Sequence, residues 1–236
     1  HAVSDATMTN AADYNTGVGA FSLSALTSGT QNTAVGAYAL NANTSGSYNT
    51  ATGINALLVN ATTHNNTAIG AFTGQNTTGA DNTYVGFSAG LGASGAEANN
   101  VGIGSNALKA VTTGSGNVVI GKDAGDLLTT SGANIIIGIE AGTSISAGQT
   151  TTDGTVLVGA WSGVSLSSGG ANTALGYRAM NNNATGSSNT YLGYDAGFGG
   201  SGGNNSNNVG VGRDALTAIT TGGSNVVIGM EAGDAM

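Results

Sequence analysis

Three carboxylates near the end of the chain are the residues best placed to do chemistry. Asp195, Asp214 and Glu231 follow one another at intervals of 19 and 17 residues. If the chain coils with that period, their oxygens stack at strand spacing and could bind Ca²⁺ or form the carboxylate cluster of a polysaccharide-cleaving solenoid. Stacked like charges repel unless something offsets them. The nearby Arg178 and Arg213 favour two alternatives, which are solvent-screened carboxylates and a partner surface.

Aromatic side chains lie earlier in the chain, at positions that the same period relates to those of the three carboxylates. Phe21, Tyr38, Phe72 and Trp161 lie there, and Arg178 follows Trp161 by 17 residues. A cation over an aromatic face is a stabilising pair, so we expect Trp161 and Arg178 to contact each other. The rings could also stack on sugars. These five residues form a predicted ligand surface for a host or surface glycan or protein.

Few residues of the sequence are suited to other kinds of catalysis. The sequence contains two histidines, His1 and His64, and no cysteine, so a nucleophile with a base and an orienting group is hard to assemble. Segments 102–107 and 210–215 match a dinucleotide-binding fingerprint but lack the βαβ unit that it requires. We therefore predict a non-enzymatic protein without a cofactor, with His64 exposed in a turn.

The elements that position these residues are thirteen copies of one unit with a 17-residue period. A single unit cannot bury its own apolar face, so the copies must stack. This predicts an all-β parallel β-solenoid of about 13 coils over residues 15–236, preceded by a lead at residues 1–14. The fourth to seventh coils resemble the tenth to thirteenth at an offset of 106 to 108 residues. Counting the first residue of each unit as position 1, the copies begin at Asn15, Asn32, Asn49, Asn66, Asn82, Asn100, Asn117, Asn134, Thr155, Asn172, Asn189, Asn208 and Asn225.

Positions 2 to 4 of each unit predict a short strand. Positions 2 and 4 are mostly β-branched or Leu, and the strand period of two places them on one face. Their uniformity predicts that they face the core. Position 3 varies and is predicted to face outward, where Val119, Ile136 and Leu157 would form an apolar stripe of the kind that marks an interface.

Glycine and asparagine mark the turns. Position 5 is Gly in all thirteen coils, which predicts a corner with positive φ or a close backbone approach. Asn at position 1 is expected to tie a turn to the next coil. Inward Asn residues at position 12 (Asn43, Asn60 and Asn183) are expected to pair with like residues above and below them.

Position 2 is Thr in the first five coils, in an uninterrupted column from Thr16 to Thr83. An ice-binding solenoid would present such a column outward on a flat face. Later coils replace these threonines with Val and Ile, which suits a core better. Ice binding therefore stays an alternative function.

The nine-residue segment Asn32–Leu40, with its pattern Asn-Thr-Ala-Val-Gly-x-x-Ala-Leu, resembles the head repeats of trimeric autotransporter adhesins. These form a YadA-like left-handed parallel β-roll. The segment is still more similar to 17-residue repeats of predicted bacterial surface proteins and phage tail-fibre proteins. The resemblance covers about residues 15–236 and implies a left-handed solenoid that functions as an adhesin or fibre. It also implies an intersubunit contact lined by position 3, with Tyr84, Val119, Ile136, Leu157 and Tyr191.

Composition narrows the function classes. Charged residues make up 7% of the chain and only four are basic, with a net charge of -8, so no cationic stripe is available for nucleic acid. No apolar run reaches the roughly 18 residues of a membrane span. We expect an extracellular, cell-surface or virion-fibre structural protein that self-associates as a filament or homotrimer. In a filament, the lead at residues 1–14 would add as a strand to the next subunit.

Overall fold

A computed structural model describes residues 13–92, 95–145, 153–200 and 202–235. These residues form an all-β parallel β-solenoid with one three-residue strand in each coil and no helix. The predicted fold class and the 17-residue period are confirmed. The predicted inter-subunit strand at residues 1–14 lies outside the described residues except for Asp13 and Tyr14. The strands are β1 (Thr16–Val18), β2 (Thr33–Val35), β3 (Thr50–Thr52), β4 (Thr67–Ile69), β5 (Thr83–Val85), β6 (Val101–Ile103), β7 (Val118–Ile120), β8 (Ile135–Ile137), β9 (Val156–Val158), β10 (Thr173–Leu175), β11 (Thr190–Leu192), β12 (Val209–Val211) and β13 (Val226–Ile228).

The coils belong to two compact units. The first ends at Ser115 and contains β1 to β6, and the second begins at Gly116 and contains β7 to β13. Within each unit, strands that follow one another in sequence pair in parallel, and equal positions of the repeat lie opposite each other. Thr16 pairs with Thr33, for example, and Thr173 with Thr190. Because the strands pair in register, the residues at one position of successive units lie above one another and form a column of side chains.

The glycine at position 5 makes the tight corner that was expected. Its φ lies between +125° at Gly19 and +146° at Gly176, a region that is essentially restricted to glycine. A Cβ atom on Gly36 would lie 2.5 Å from the carbonyl oxygen of Gly53 in the next coil. At the corner glycines from Gly19 to Gly86 and from Gly121 to Gly212, an added Cβ atom would lie 2.1–2.7 Å from the backbone of the next coil, so no larger residue fits there.

The orientation predicted for the strands is wrong. Position 3 faces the core, and positions 2 and 4 face outward. All five residues expected at an outward interface are completely buried, namely Tyr84, Val119, Ile136, Leu157 and Tyr191. A three-residue strand points only its middle side chain inward, and the turn supplies the rest of the core from positions 8, 9 and 12, as Ala39, Leu40 and Leu26 show.

Side-chain volume is shared between positions 3 and 9. When position 3 is Ala or Gly, position 9 is a buried Leu or Met, as in Ala34 with Leu40. When position 3 is large, position 9 is Gly, because a Cβ atom on Gly197 would lie 2.4 Å from the ring of Tyr191. Ala68 with Gly74 departs from the pattern, and there the side chains of adjacent coils approach Gly74 instead. Interiors are packed closely enough to make this compensation necessary.

Asparagines at position 1 form a ladder that ties successive coils together, as predicted. The Oδ1 atom of Asn32 accepts the backbone N–H of Asn49 at 3.0 Å, and its Nδ2 atom donates to the carbonyl of Gly46 at 2.8 Å. The same bonds recur in the second unit, for example from Asn189 to Asn208 and Asn205. Each side chain therefore satisfies backbone groups that would otherwise be buried without partners.

The Asn residues at position 12 act differently from the prediction. Asn43 bonds within its own coil, accepting the N–H of Gly46 at 2.8 Å and donating to the Gly46 carbonyl at 3.1 Å. Asn60 likewise donates to the Thr63 hydroxyl at 2.8 Å. Asn183 caps its turn by accepting the N–H of Gly186, and it also donates to Asn205 in the next coil. Each of these side-chain amides bonds to the turn three residues later in its own coil. They therefore do not form a continuous ladder of like residues between coils.

Thr155 interrupts the asparagine ladder and gives a testable prediction. Its N–H donates to Asn134 at 2.9 Å, but its own buried hydroxyl has no hydrogen-bonding partner among the described residues. We expect Thr155→Asn to raise the free energy of unfolding by about 1 kcal/mol, the usual net value of a buried hydrogen bond. Urea denaturation measures the change. The reverse substitution Asn117→Thr should lower stability by a similar amount, and a Thr155→Asn variant that is no more stable would contradict this role for the ladder.

Candidate functional site

The most extensive candidate site is the outward surface of the strands. We call it the sheet face and define it as positions 2 and 4 of every coil. In the first unit it carries Thr16, Thr33, Thr50, Thr67 and Thr83 at position 2, all half-buried or exposed. Position 4 beside them is aliphatic except at Thr52, and Ile69 is 43% exposed. The first unit therefore presents a Thr column next to an apolar column.

The second unit has a more apolar sheet face. Position 2 carries Val118, Ile135 and Val156 before Thr returns at Thr173 and Thr190. At position 4, Leu175 is 44% exposed and Leu192 is 42% exposed. Exposed aliphatic side chains on neighbouring strands form a contiguous patch rather than isolated surface residues, and such patches mark interaction sites.

Charge is absent from the strands that carry this face. None of the thirteen strands contains a charged residue. Charged side chains follow at positions 6 and 7, as in Lys122, Asp123 and Arg213. An apolar centre bordered by polar residues is the anatomy of a protein interface.

Aromatic rings line the border at positions 6 and 7 and contact one another. Phe21 and Tyr38 stack with centroids 5.1 Å apart and an interplanar angle of 14°. Tyr177 and Tyr194 stack in the same way at 5.1 Å, and the edge of one ring meets the face of another between Trp161 and Tyr177 at 5.3 Å. The stacked faces are occupied by neighbouring rings, which limits the flat surface open to a sugar. The ligand surface predicted for these residues stays a prediction.

Phe72 and Arg178, the other residues of the predicted ligand surface, also have ring partners. Phe72 meets Phe87 in a T-shaped contact at 5.8 Å. The Arg178 guanidinium lies over the rings of Tyr177 at 5.3 Å, Tyr194 at 5.9 Å and Phe198 at 5.0 Å. The expected pair between Trp161 and Arg178 is therefore replaced by these contacts.

Hydrogen bonds between coils explain why Trp161 and Arg178 have other partners. Trp161 donates its indole N–H to Glu140 in the preceding coil at 3.0 Å. Arg178 forms a two-point ion pair with Asp195 in the following coil, with its Nε atom 2.8 Å from Oδ1. This bond to Asp195 raises the pKa of Arg178 above its usual range.

The three carboxylates considered for Ca²⁺ are paired with arginines. Asp195 bonds to Arg178. Arg213 pairs with the other two carboxylates: its Nη1 atom lies 3.3 Å from Oδ2 of Asp214, and its Nη2 atom lies 2.5 Å from Oε1 of Glu231. The arginines offset the repulsion that the stacking would cause, and Asp195 is buried rather than exposed to solvent. Across the described ranges, no three His, Cys, Asp or Glu side chains come together as a metal site. The calcium and polysaccharide-cleaving alternatives stay predictions for these three carboxylates.

The remaining sequence candidates have structural explanations. His64 is exposed, and its Nδ1 atom accepts the N–H of Ser47 at 3.0 Å. In the two fingerprint-like segments, Gly102 and Gly210 make room for tyrosines. A Cβ atom at these positions would lie 3.0 Å from Tyr84 and 2.9 Å from Tyr191, respectively. These glycines belong to the core packing.

Sequence reasoning missed the sheet face because it assigned positions 2 and 4 to the core. The relation between positions 3 and 9 was the available signal. A residue whose size is matched to another position of the same coil must share a packed space with it, and the pair Tyr84 with Gly90 is repeated by Tyr191 with Gly197.

No family model, curated protein or solved structure matches this chain. In the part of the chain that the structure describes, no helix is long and apolar enough to cross a bilayer.

Proposed function

We propose that this protein is a non-enzymatic structural subunit that self-associates side by side through the sheet face, as part of an extracellular or surface fibre. The observation that carries the proposal is the exposure of aliphatic side chains on an uncharged strand surface in coil after coil. The β-solenoid fold is consistent with such a role because stacked repeats provide an extended surface rather than a pocket.

A second copy of the same chain is the partner that fits this surface best. The protein has a net charge of -8, so two copies repel each other where their charges meet. The sheet face avoids this repulsion because its strands carry no charge. Regular strand spacing lets one ridged apolar face pack against an identical one, and symmetric oligomers are built from such self-complementary patches.

Leu175→Lys tests the proposal. Leu175 is 44% exposed on the sheet face, so a lysine there can reach solvent in the separate chain but would be buried without a counter-charge in the oligomer. We expect the variant to dissociate with at least a tenfold weaker association constant, measured by sedimentation equilibrium. Its free energy of unfolding as a monomer should change by less than about 0.5 kcal/mol.

Leu127→Lys is the matched control. Leu127 is 49% exposed but lies in the turn rather than on a strand. Lysine at this position should leave the association unchanged. Equal weakening by both variants, or a wild-type protein that sediments as a monomer at high concentration, would overturn the proposed self-association.

Ice binding is a second candidate function, and one observation favours it. The Thr column was expected to suit a core, but the structure turns Thr16, Thr33, Thr50, Thr67 and Thr83 outward. On parallel strands about 4.8 Å apart, these side chains present methyl and hydroxyl groups in a regular row. The position 4 column beside them, aliphatic except at Thr52, adds an apolar surface.

Ice recrystallisation assays distinguish this function from self-association. An ice-binding first unit would inhibit crystal growth in wild-type protein and lose the effect in Thr50→Lys, while Leu175→Lys in the second unit would retain it. Lack of inhibition by the wild type removes ice binding and leaves the proposal of self-association standing.

A further inference from the structure

Glu97 is a completely buried carboxylic acid in the first unit. Its carbonyl accepts the side-chain N–H of Asn82, the first residue of the same coil, at 3.0 Å. In the preceding coil, a Cβ atom on Gly79 would lie only 1.4 Å from that carbonyl oxygen. The segment that carries the acid therefore has little room to move while the coils remain stacked.

The polar atoms of this acid have few donors near them. Among the described residues, neither carboxyl oxygen of Glu97 nor the hydroxyl oxygen of Tyr84 has a hydrogen-bonding partner of good geometry. The backbone N–H of Glu97 and the hydroxyl of Thr77 are close enough to lower the pKa of the acid, but Thr77 donates to the carbonyl of Gly90 at 3.4 Å. An ionised carboxylate with such weak donors in a buried place is costly.

The corresponding layer in the second unit is neutral, and its polar oxygens are hydrogen-bonded, although the Nδ2 atom of Asn205 has no partner among the described residues. At the repeat offset, Asn205 takes the place of Glu97, Tyr191 that of Tyr84, and Asn183 that of Thr77. The Tyr191 hydroxyl donates to Asn205 Oδ1 at 2.6 Å, and Asn183 Nδ2 donates to the same oxygen at 2.9 Å. The chain thus contains two versions of one layer, and only the first can change its charge.

We propose that the Glu97 layer is a pH-sensitive weak point of the first unit, closed while the side chain is a neutral acid and opened when it becomes a carboxylate. Opening would separate Glu97 from Gly79 in the preceding coil, on which its backbone packs. Exposure of the carboxylate to water then removes the cost of burying its charge.

Electrostatics in the described surroundings agree with this geometry. Burial raises the pKa of Glu97 to about 7, and no cationic side chain contributes to it. Tyr84 is the titratable group coupled to it, and burial together with the Glu97 charge raises the pKa of that phenol. Because the pKa of the acid is higher in the folded chain than in the unfolded chain, its stabilising effect is complete below pH 4.5 and is lost as the pH rises to about 7.

Glu97→Gln tests the proposal because the amide keeps the shape of the side chain and cannot ionise. Urea unfolding of both proteins at several pH values gives the ratio of the wild-type to the variant unfolding constant. We expect this ratio to rise by about tenfold per pH unit between the two pKa values and then level off. The matched converse is Asn205→Glu, which should introduce the same pH dependence into the second unit.

A second measurement keeps the test decisive if Glu97→Gln does not fold. Carboxyl ¹³C NMR of the wild-type protein should show one Glu signal that titrates near pH 7, with hydrogen exchange at Asn82 and Glu97 accelerating over the same range. Parallel stability profiles for wild type and Glu97→Gln, or titration of Glu97 below pH 5, would overturn the proposal.

Discussion

Gly159→Ala is expected to lower the free energy of unfolding by about 3–5 kcal/mol, combining backbone strain with overpacking. Gly159 has φ +143°, and a Cβ atom on it would lie 2.1 Å from the carbonyl oxygen of Gly176. The stacked backbone of the next coil cannot move aside without breaking its own hydrogen bonds. Urea denaturation of the purified variant measures the loss.

Gly116→Ala is the control for a glycine with positive φ but open surroundings. Its φ is +71°, and the nearest atom to an added Cβ would be 3.8 Å away. Ala133 and Ala171 already occupy the corresponding position of other coils with φ +56°. The control should change stability by less than about 1 kcal/mol. If Gly159→Ala were as mild as this control, the corner would not be the close contact described above.

Tyr191→Ala is expected to cost about 3–5 kcal/mol, the usual range for removing a buried aromatic side chain. Adding Gly197→Leu should restore a large part of the loss, because Ala with Leu is the pairing that packs the coil of Ala34 and Leu40. Alone, Gly197→Leu should be destabilising, since its Cβ atom would lie 2.4 Å from the Tyr191 ring.

A double-mutant cycle with thermal or urea unfolding gives the coupling between these positions. We expect a favourable coupling of about 2 kcal/mol, within the range for residues in contact. Additive effects would mean that positions 3 and 9 do not share one packed space.

The period, the strand positions and the corner glycines could be predicted from the sequence because each depends on a local requirement. A triplet such as Thr33–Val35 favours a strand through its β-branched side chains. Gly36 recurs because the corner excludes any side chain. Each of these preferences is weak in a single unit, but their recurrence in thirteen units makes the repeat recognisable.

The orientation of the strands could not be predicted from uniformity alone. Thr and Val favour strands whether they are buried or exposed, so uniform positions 2 and 4 did not identify the core. Position 3 appeared variable because Tyr84 and Ala34 are balanced by Gly90 and Leu40 within their own coils. Which side chains of a three-residue strand face the core depends on how the following turn folds back. The path of that turn depends in its own right on packing between coils.

The partners of the polar residues also depended on tertiary structure. Arg178 has Tyr177 as a sequence neighbour, but its ion pair is with Asp195 one coil later. The burial of Glu97 follows from a turn outside the regular part of the repeat, where insertions remove the positional pattern. In the sequence, the place of Glu97 in the repeat can be recognised only from Asn205, which corresponds to it in the duplicated coils.

Crosslinking through introduced cysteines would test the central claim, that the outward sheet face joins copies of the chain. The sequence has no cysteine, so Leu175→Cys, Leu127→Cys and Leu157→Cys each provide a single thiol. We predict that a short bis-maleimide crosslinks copies through position 175 only, since Leu127 lies off the face and Leu157 is buried. Reaction at position 157, or no crosslinked dimer from position 175 at concentrations where the protein associates, would contradict the account.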